Sequence, residues 1–315
     1  MVEGNGSSLF LACHSHDSAG RCVGYKHVLA ADAFEGEAKR KCLCPCRTPS
    51  KRANASLRQC RANSRGVHER RRCDRERGSS ITKKIKIIPY PVTTQSCCEE
   101  AERTPWAQRE RKVLFVGKVH PEKGVHVLIS AFASIAKELR ANWCLEIVGP
   151  KHVSSGGGGA KYLKELQRLS APIQESVRWV GGVFDSAHLT RIFSSARIFV
   201  YLSLADKGET FWLAPLEAMA CGCVPVVSQL SCFEDYVDDG GCGLMFDHTE
   251  ARPELALTTV LERLMRDVGR AKALANAASV RAGTFSLERI VRLRVRDFSA
   301  IVGREEPIEG ALELG

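Results

Sequence analysis

The chain reads as an α/β protein built on an open parallel sheet with helices on both faces. Three observations lead there. From Lys112 onward, apolar runs of strand length alternate with longer stretches of helical periodicity. The runs are apolar at nearly every position rather than at every second one, as in strands covered on both sides. Gly117, Gly149 and the pair Gly181 and Gly182 stand just past the ends of these runs, where the ligand crevice of such a sheet lies.

Size and composition bound the answer. The 315 residues suit one large domain or two ordinary ones, and 44% hydrophobic content allows a sizeable core. The formal net charge of +10 is uneven: residues 39–86 hold 17 Lys and Arg against Glu69, Asp74 and Glu76, so the remainder is slightly acidic. The basic segment has few aromatics for base stacking, and no specific nucleic-acid partner is expected. Of the 14 cysteines, nine precede residue 100. The clusters CLCPC at 42–46 and CHSH at 13–16 lack the paired spacing of a structural zinc site, so no metal is expected. MVEGNGSSLF does not resemble a secretory signal, no run of 18 apolar residues occurs, and a disulfide framework is not expected. The expected location is the cytoplasm, with peripheral membrane contact left open.

Taken in order, residues 1–80 form a basic, Cys-rich segment without sustained periodicity; short apolar pieces occur at 8–13 and 27–33. A poorly ordered segment or a truncated remnant of a lobe is expected there. Residues 81–108 read as a connecting strand, KIKIIPY at 84–90, halted by Pro89 and Pro91, and then a polar linker containing Pro105. Residues 109–285 form the main domain. Its expected strands are 112–116, 144–148, 177–180, 198–202, 224–228 and 243–246. Its expected helices are 125–139, one beginning near 162, 187–193, 214–220, 232–237, 255–265 and 271–280. The four glycines at 156–159 lack the Gly-Lys-Ser/Thr ending of a P-loop and are expected as a flexible loop. Residues 286–315 form a last helix and tail.

Two groups of residues suggest chemistry. Lys118 and Lys123 lie in a glycine-bounded loop after the first strand of the main domain, and lysine is a compact charge suited to phosphate. Glu209 and Glu217 lie eight residues apart in GETFWLAPLEAMACG. Pro215 suits the first turn of a helix, which puts Glu209 on the loop leading in and Glu217 one turn inside. Carboxylates accept hydrogen bonds from sugar hydroxyls, and the free N–H groups of a helix start attract anions. A ligand with both hydroxyls and phosphates fits, and a nucleotide sugar is one. Solvated lysines and ordinary acids of a helix's first turn would look the same.

These pieces resemble the donor-binding half of the GT-B glycosyltransferases, in particular family 4, the glycosyl transferases group 1. The resemblance rests on KIKIIPYPV (84–92), KVLFVGKVHPEKGVHVLISAF (112–132), VRWVGGV (177–183), ARIFVYLS (196–203), ETFWLAPLEAMACGCVPVVS (209–228) and GCGLMFD (241–247). It implies a Rossmann-like donor domain and a retaining transfer of sugar from a nucleotide-diphosphate sugar to a saccharide, lipid-linked or small-molecule acceptor. It implies no cofactor other than that donor substrate. Lys118, Lys123 and Glu209 would be catalytic: the lysines at the diphosphate, Glu209 at hydroxyls of the transferred sugar. Glu217 would hold the ribose. Gly117, Phe211, Trp212 and Leu213 would border the phosphates and sugar, and Gly181, Gly182 and Val183 the base. Three departures stand out. Lys118 occupies a place where the family usually has arginine, Trp212 one where glycine is common, and no catalytic histidine motif of an acceptor lobe is found among His14, His16, His27 and His68. A partner-dependent or non-catalytic nucleotide-sugar-binding module is the alternative.

Overall fold

The apolar runs from Lys112 onward pair side by side as a parallel sheet. The computed structural model describes residues 8–16, 22–31, 86–204 and 213–302. These residues fall into two units, one spanning Val92–Ser286 and the other taking the described residues before Val92 and from Leu287 onward.

In the second of these units, β1 (Ser8–His16) and β2 (Cys22–Ala31) form an antiparallel pair with Phe10 opposite Leu29. β3 (Lys86–Ile87) adds to β2, with Ile87 opposite Val28. The apolar pieces read at 8–13 and 27–33 fall largely within β1 and β2.

The unit Val92–Ser286 opens with helix α1 (Gln95–Arg103) and a 3-10 turn at Trp106–Gln108. The polar linker expected over 93–108 is therefore partly helical. β4 (Lys112–Val116) follows, then α2 (Val125–Ser134), β5 (Cys144–Val148), α3 (Gly159–Ser170), β6 (Val177–Gly181) and α4 (Ser186–Ser195). Next come β7 (Ile198–Tyr201), α5 (Leu213–Ala220), β8 (Val224–Ser228), β9 (Leu244–Phe246), α6 (Pro253–Arg266) and α7 (Val268–Gly283). Helix α8 (Leu287–Val302) belongs to the other unit.

Local chemistry sets several boundaries. Asp185 caps α4 by accepting from the His188 N–H at 2.7 Å, and Asp267 caps α7 by accepting from the Arg270 N–H at 2.8 Å; such caps contribute about 1 kcal/mol each. Pro253 starts α6, where its missing N–H costs nothing. Helix α2 ends at Ser134, short of the expected 139. Ile135 is extended and breaks the expected span in two: a short separate helix follows at Lys137–Arg140, from which Arg140 Nη1 donates back to the carbonyls of Ala133 and Ile135 at 2.6 and 2.9 Å. Residues 232–237, expected as a short helix, are turns instead; the Tyr236 N–H donates to Phe233 at 3.0 Å and the Val237 N–H to the same carbonyl at 2.8 Å.

The sheet order is β6-β5-β4-β7-β8-β9, with every pairing parallel. From β4 the chain moves outward through β5 to β6, returns beside β4 as β7, and continues the other way. That is the doubly wound arrangement, whose direction reverses between the first and fourth strands. Alternation along β4 shows how both faces are filled. Val113 and Phe115 join the apolar cluster under α2, α3 and α6, while Leu114 joins the one under α1, α4 and α5. All three are fully buried, each contributing on the order of 1.5–3 kcal/mol. The Val92 N–H donates to the Phe285 carbonyl at 2.9 Å, fastening the start of this unit to its end.

Candidate donor site at the switch point of the sheet

The reversal between β4 and β7 brings the loop after β4 beside the residues that leave β7, at the carboxyl ends of those strands. That loop carries Gly117, Lys118 and Lys123. It turns through Pro121–Lys123 and enters α2 after Gly124, whose φ of 57° is the left-handed conformation that glycine adopts without penalty. A Cβ on Gly124 would stand 3.1 Å from Leu202 Cβ and 3.2 Å from Leu204 Cγ. The Leu204 N–H donates to the Glu122 carbonyl at 2.8 Å. The loop after β4 is thus stitched to the segment that leaves β7.

Lys123 is 2% exposed, and its ammonium lies 5.6 Å from the centroid of the Tyr201 ring at the end of β7. A cation over an aromatic face gains electrostatic stabilisation. Tyr201 in turn stacks on Phe115 and Phe199, with centroids 6.2 Å apart in each case. Lys118 is exposed on the same loop.

Close approach of backbones defines the rest of the rim. The Gly117 N–H donates to Val148 at 2.9 Å, and the Gly149 N–H donates to Gly181 at 2.7 Å, so the ends of β4, β5 and β6 are bonded in series. A Cβ on Gly149 would overlap the Gly117 carbonyl oxygen. The glycines at 156–159 are packed rather than open. Lys118 Cε comes within 3.1 Å of where a Gly156 side chain would start, Pro121 Cδ within 3.0 Å of the Gly158 position, and a Cβ on Gly157 would overlap the Lys151 backbone. This run is the part of the rim that motif reading missed, because it lacks a P-loop ending. The signal was its place just after β5.

Helix α5 supplies the acid. It begins at Leu213, which is 40% exposed, and holds Pro215 in its first turn. It ends at Gly222, whose φ is 76° and whose carbonyl accepts from Arg109 Nη1 at 2.7 Å. Glu217 lies within this helix, half-buried. Burial pushes its carboxyl above the ordinary carboxylate value. Among the described residues, no hydrogen bond or ion pair engages that carboxylate.

The structure therefore brings Gly117 and Lys123 against Tyr201 and Gly124 against Leu202 and Leu204, while Lys118, on the same loop, lies against Gly156. It links Gly181 to them through Gly149. Gly182 lies beside the Phe184 ring, whose Cε2 is 3.1 Å from the place of a Cβ, and Val183 packs on the α4 and α5 side of the core. Leu213 and Glu217 sit on the helix that follows β7. No bond joins Glu217 to either lysine among the described residues. Glu209, Phe211 and Trp212 lie outside the described residues. Among those described, no group of three or more His, Cys, Asp or Glu side chains converges as a metal site, and no helix is long and apolar enough to cross a membrane.

Comparison with known proteins agrees with this architecture. The family model described as glycosyl transferases group 1 matches residues 99–280. The chain is 25% identical over 218 residues to a lipopolysaccharide 1,2-N-acetylglucosaminetransferase of Salmonella typhimurium, covering 66% of this chain and 54% of that protein. It is 27% identical over 210 residues to O-antigen chain mannosyltransferase B of Escherichia coli, covering 61% of this chain and 52% of that one. The chain thus spans about half the length of the curated relatives it matches. Among solved structures, the Anabaena HepE protein in complex with UDP and glucose shares the fold at a TM-score of 0.58 and 18% identity, over 73% of this chain and 60% of that one. The family match covers more than half of the sequence and takes in β4 to β9 with the helices between them: the chain belongs to the glycosyl transferases group 1 family.

Proposed function

We propose that residues 109–285 bind a nucleotide-diphosphate sugar and form the donor half of a retaining glycosyltransferase. The observation that carries this is the crevice at the switch point. There the loop that carries a buried and an exposed lysine meets the residues leaving β7, and the acid of the helix beyond is half-buried with no hydrogen bond or ion pair among the described residues. Lys118 and Lys123 would neutralise the diphosphate, whose charge grows as the glycosidic bond to the sugar breaks. Glu217 would accept hydrogen bonds from the ribose hydroxyls, and Glu209 from those of the transferred sugar. Leu213, with Phe211 and Trp212, would border the phosphates and sugar, and Gly181 to Val183 the base. Departure of the diphosphate and attack by the acceptor on the same face would retain the anomeric configuration. The acceptor, a saccharide or a lipid-linked sugar, would be presented by a second lobe. The HepE structures with UDP, with UDP-glucose and with UDP and glucose support a nucleotide-sugar ligand for this fold.

The test is calorimetric titration of the full chain with UDP, GDP and ADP, their monophosphates and their hexose conjugates. One diphosphate series should bind, its monophosphate more weakly by about tenfold or more, consistent with a charge contact worth roughly 1.5–3 kcal/mol. Failure of every nucleotide to bind would overturn the proposal.

A further inference from the structure

Helix α2 starts without a side-chain cap of its own. Its N-cap is Gly124, which has nothing to offer the free N–H groups of the first turn. The missing acceptor comes from another element. The His126 N–H, in that first turn, donates to the hydroxyl of Tyr162 at 3.2 Å, and Tyr162 lies in the first turn of α3. The same hydroxyl lies 2.9 Å from Nδ1 of the His126 ring, and the two rings meet edge to face with centroids 5.9 Å apart. One tyrosine oxygen thus engages both the main chain and the side chain of a single residue.

The proton positions follow from this geometry. The His126 N–H makes the hydroxyl oxygen an acceptor, so the phenolic proton goes to Nδ1, the acceptor within its reach among the described residues. The imidazole then carries its own proton on Nε2. Burial holds His126 below its ordinary value against the nearby charge of Glu165, which favours the neutral ring. Packing of the ring does not by itself require a hydroxyl. Tyr162 is 6% exposed, and a phenylalanine would fill the same space with no polar group to satisfy.

This latch sits where the lysine loop meets the glycine run. Tyr162 Cδ1 and Pro121 Cδ stand 2.7 and 3.0 Å from the place of a Cβ on Gly158, and the Gly158 N–H donates to the Val119 carbonyl at 2.8 Å. Lys123 is three positions before His126, and Lys118 lies against Gly156. We propose that Tyr162 is a positioning residue of the donor site. By latching α3 to the first turn of α2 through both hydrogen bonds, its hydroxyl fixes the loop that carries Lys118 and Lys123, so that both ammonium groups meet one diphosphate. The role rests on the donor function proposed above. Charges already held in place spare the ligand the cost of ordering them.

The experiment titrates the full chain, as wild type, Tyr162→Phe, His126→Leu and His126→Asn, with UDP, GDP and ADP and with their monophosphates. For the diphosphate that wild type binds, Tyr162→Phe and His126→Leu should lose roughly fivefold or more in affinity. The matching monophosphate, which reaches fewer of the loop's charges, should lose less than about twofold. His126→Asn, whose Oδ1 can replace Nδ1 as acceptor, should recover most of the loss. Adding Tyr162→Phe to Lys118→Met should cost about twofold or less beyond Lys118→Met alone, because both act through one loop. Nuclear magnetic resonance of isotope-labelled histidine should show the wild-type His126 ring protonated on Nε2, with the Nδ1-protonated form appearing in Tyr162→Phe. Equal diphosphate affinity in wild type and Tyr162→Phe would overturn the role, as would equal losses for the two phosphate lengths or a neutral wild-type ring protonated on Nδ1. If Tyr162→Phe fails to fold by circular dichroism, the two His126 variants decide. A wild type that binds no nucleotide would overturn the donor function and this role with it, whereas nucleotide binding indifferent to Tyr162 and His126 would overturn this role alone.

Discussion

An acidic pair on the sheet, Glu110 and Glu146, and a lone acid on a helix beside it, Glu217, differ in how they are compensated. Near the starts of β4, β5 and β6, Lys112 Nζ lies 3.1 Å from Glu146 and 3.2 Å from Glu110, and it donates to Ser195 Oγ at 2.9 Å. Arg178 Nη1 adds a 2.7 Å bond to Glu110. Burial works against the charge of Glu110, yet Arg178 and Lys112 together hold its carboxyl below the ordinary value. At the other end of the sheet Glu217 is also withdrawn from water, but burial alone acts on it and its carboxyl is raised. A protein that can build the first arrangement gains nothing in stability from the second. The difference marks the first as structural, and it is the observation behind the ribose-binding role proposed for Glu217.

The comparison can be broken most forcefully at Lys112. Lys112→Met leaves Glu146, 7% exposed, without its ammonium partner, and should cost about 3–5 kcal/mol in urea unfolding. Lys118→Met, on the exposed loop, should stay within about 0.5 kcal/mol. Equal losses would erase the distinction between the two ends.

Gly149→Ala should come next, at about 2 kcal/mol or more, because the new Cβ would overlap the Gly117 carbonyl and push the ends of β4 and β5 apart. Nucleotide affinity should fall with it. A variant as stable as wild type would mean that the rim is not tightly built.

The smaller effects carry opposite signs. Glu110, its value lowered, binds fewer protons folded than unfolded, so its contribution is lost as pH falls through that lowered value. Glu217 behaves in reverse. Between the ordinary carboxylate value and its raised one, the folded chain binds more protons, and stability is lost as pH rises. Glu217→Gln should therefore raise stability at neutral pH by up to about 1 kcal/mol and flatten that part of the profile, as followed by thermal unfolding across pH. A destabilised Glu217→Gln would show that the carboxylate is structurally compensated. Smallest of all, Arg178→Ala should cost no more than about 1 kcal/mol, fading with added salt, since that side chain is 56% exposed.

Much of this was legible because it follows from patterning. The sheet, its order of alternating elements and the place of Glu217 within a helix begun near Pro215 all come from local signals. What was not legible depends on tertiary contact. QSCCEEAER looked like linker because Cys97, its one buried anchor among the described side chains, is too little to mark a periodicity. Residues 232–237 looked helical because Phe233, Tyr236 and Val237 are apolar at helical spacing, whereas their burial is met by tight turns and edge-to-face aromatic packing. The burial of Lys123 rests on Tyr201, 78 positions away in sequence, and no local pattern announces it.

In the proposed donor site Glu217, without a hydrogen bond or ion pair among the described residues, accepts from a ligand's hydroxyls. Titrating wild type and Glu217→Ala with the nucleotide diphosphate that wild type binds tests it most directly. The variant should lose about tenfold or more in affinity while unfolding as cooperatively as wild type. Equal affinity in the two proteins would contradict it.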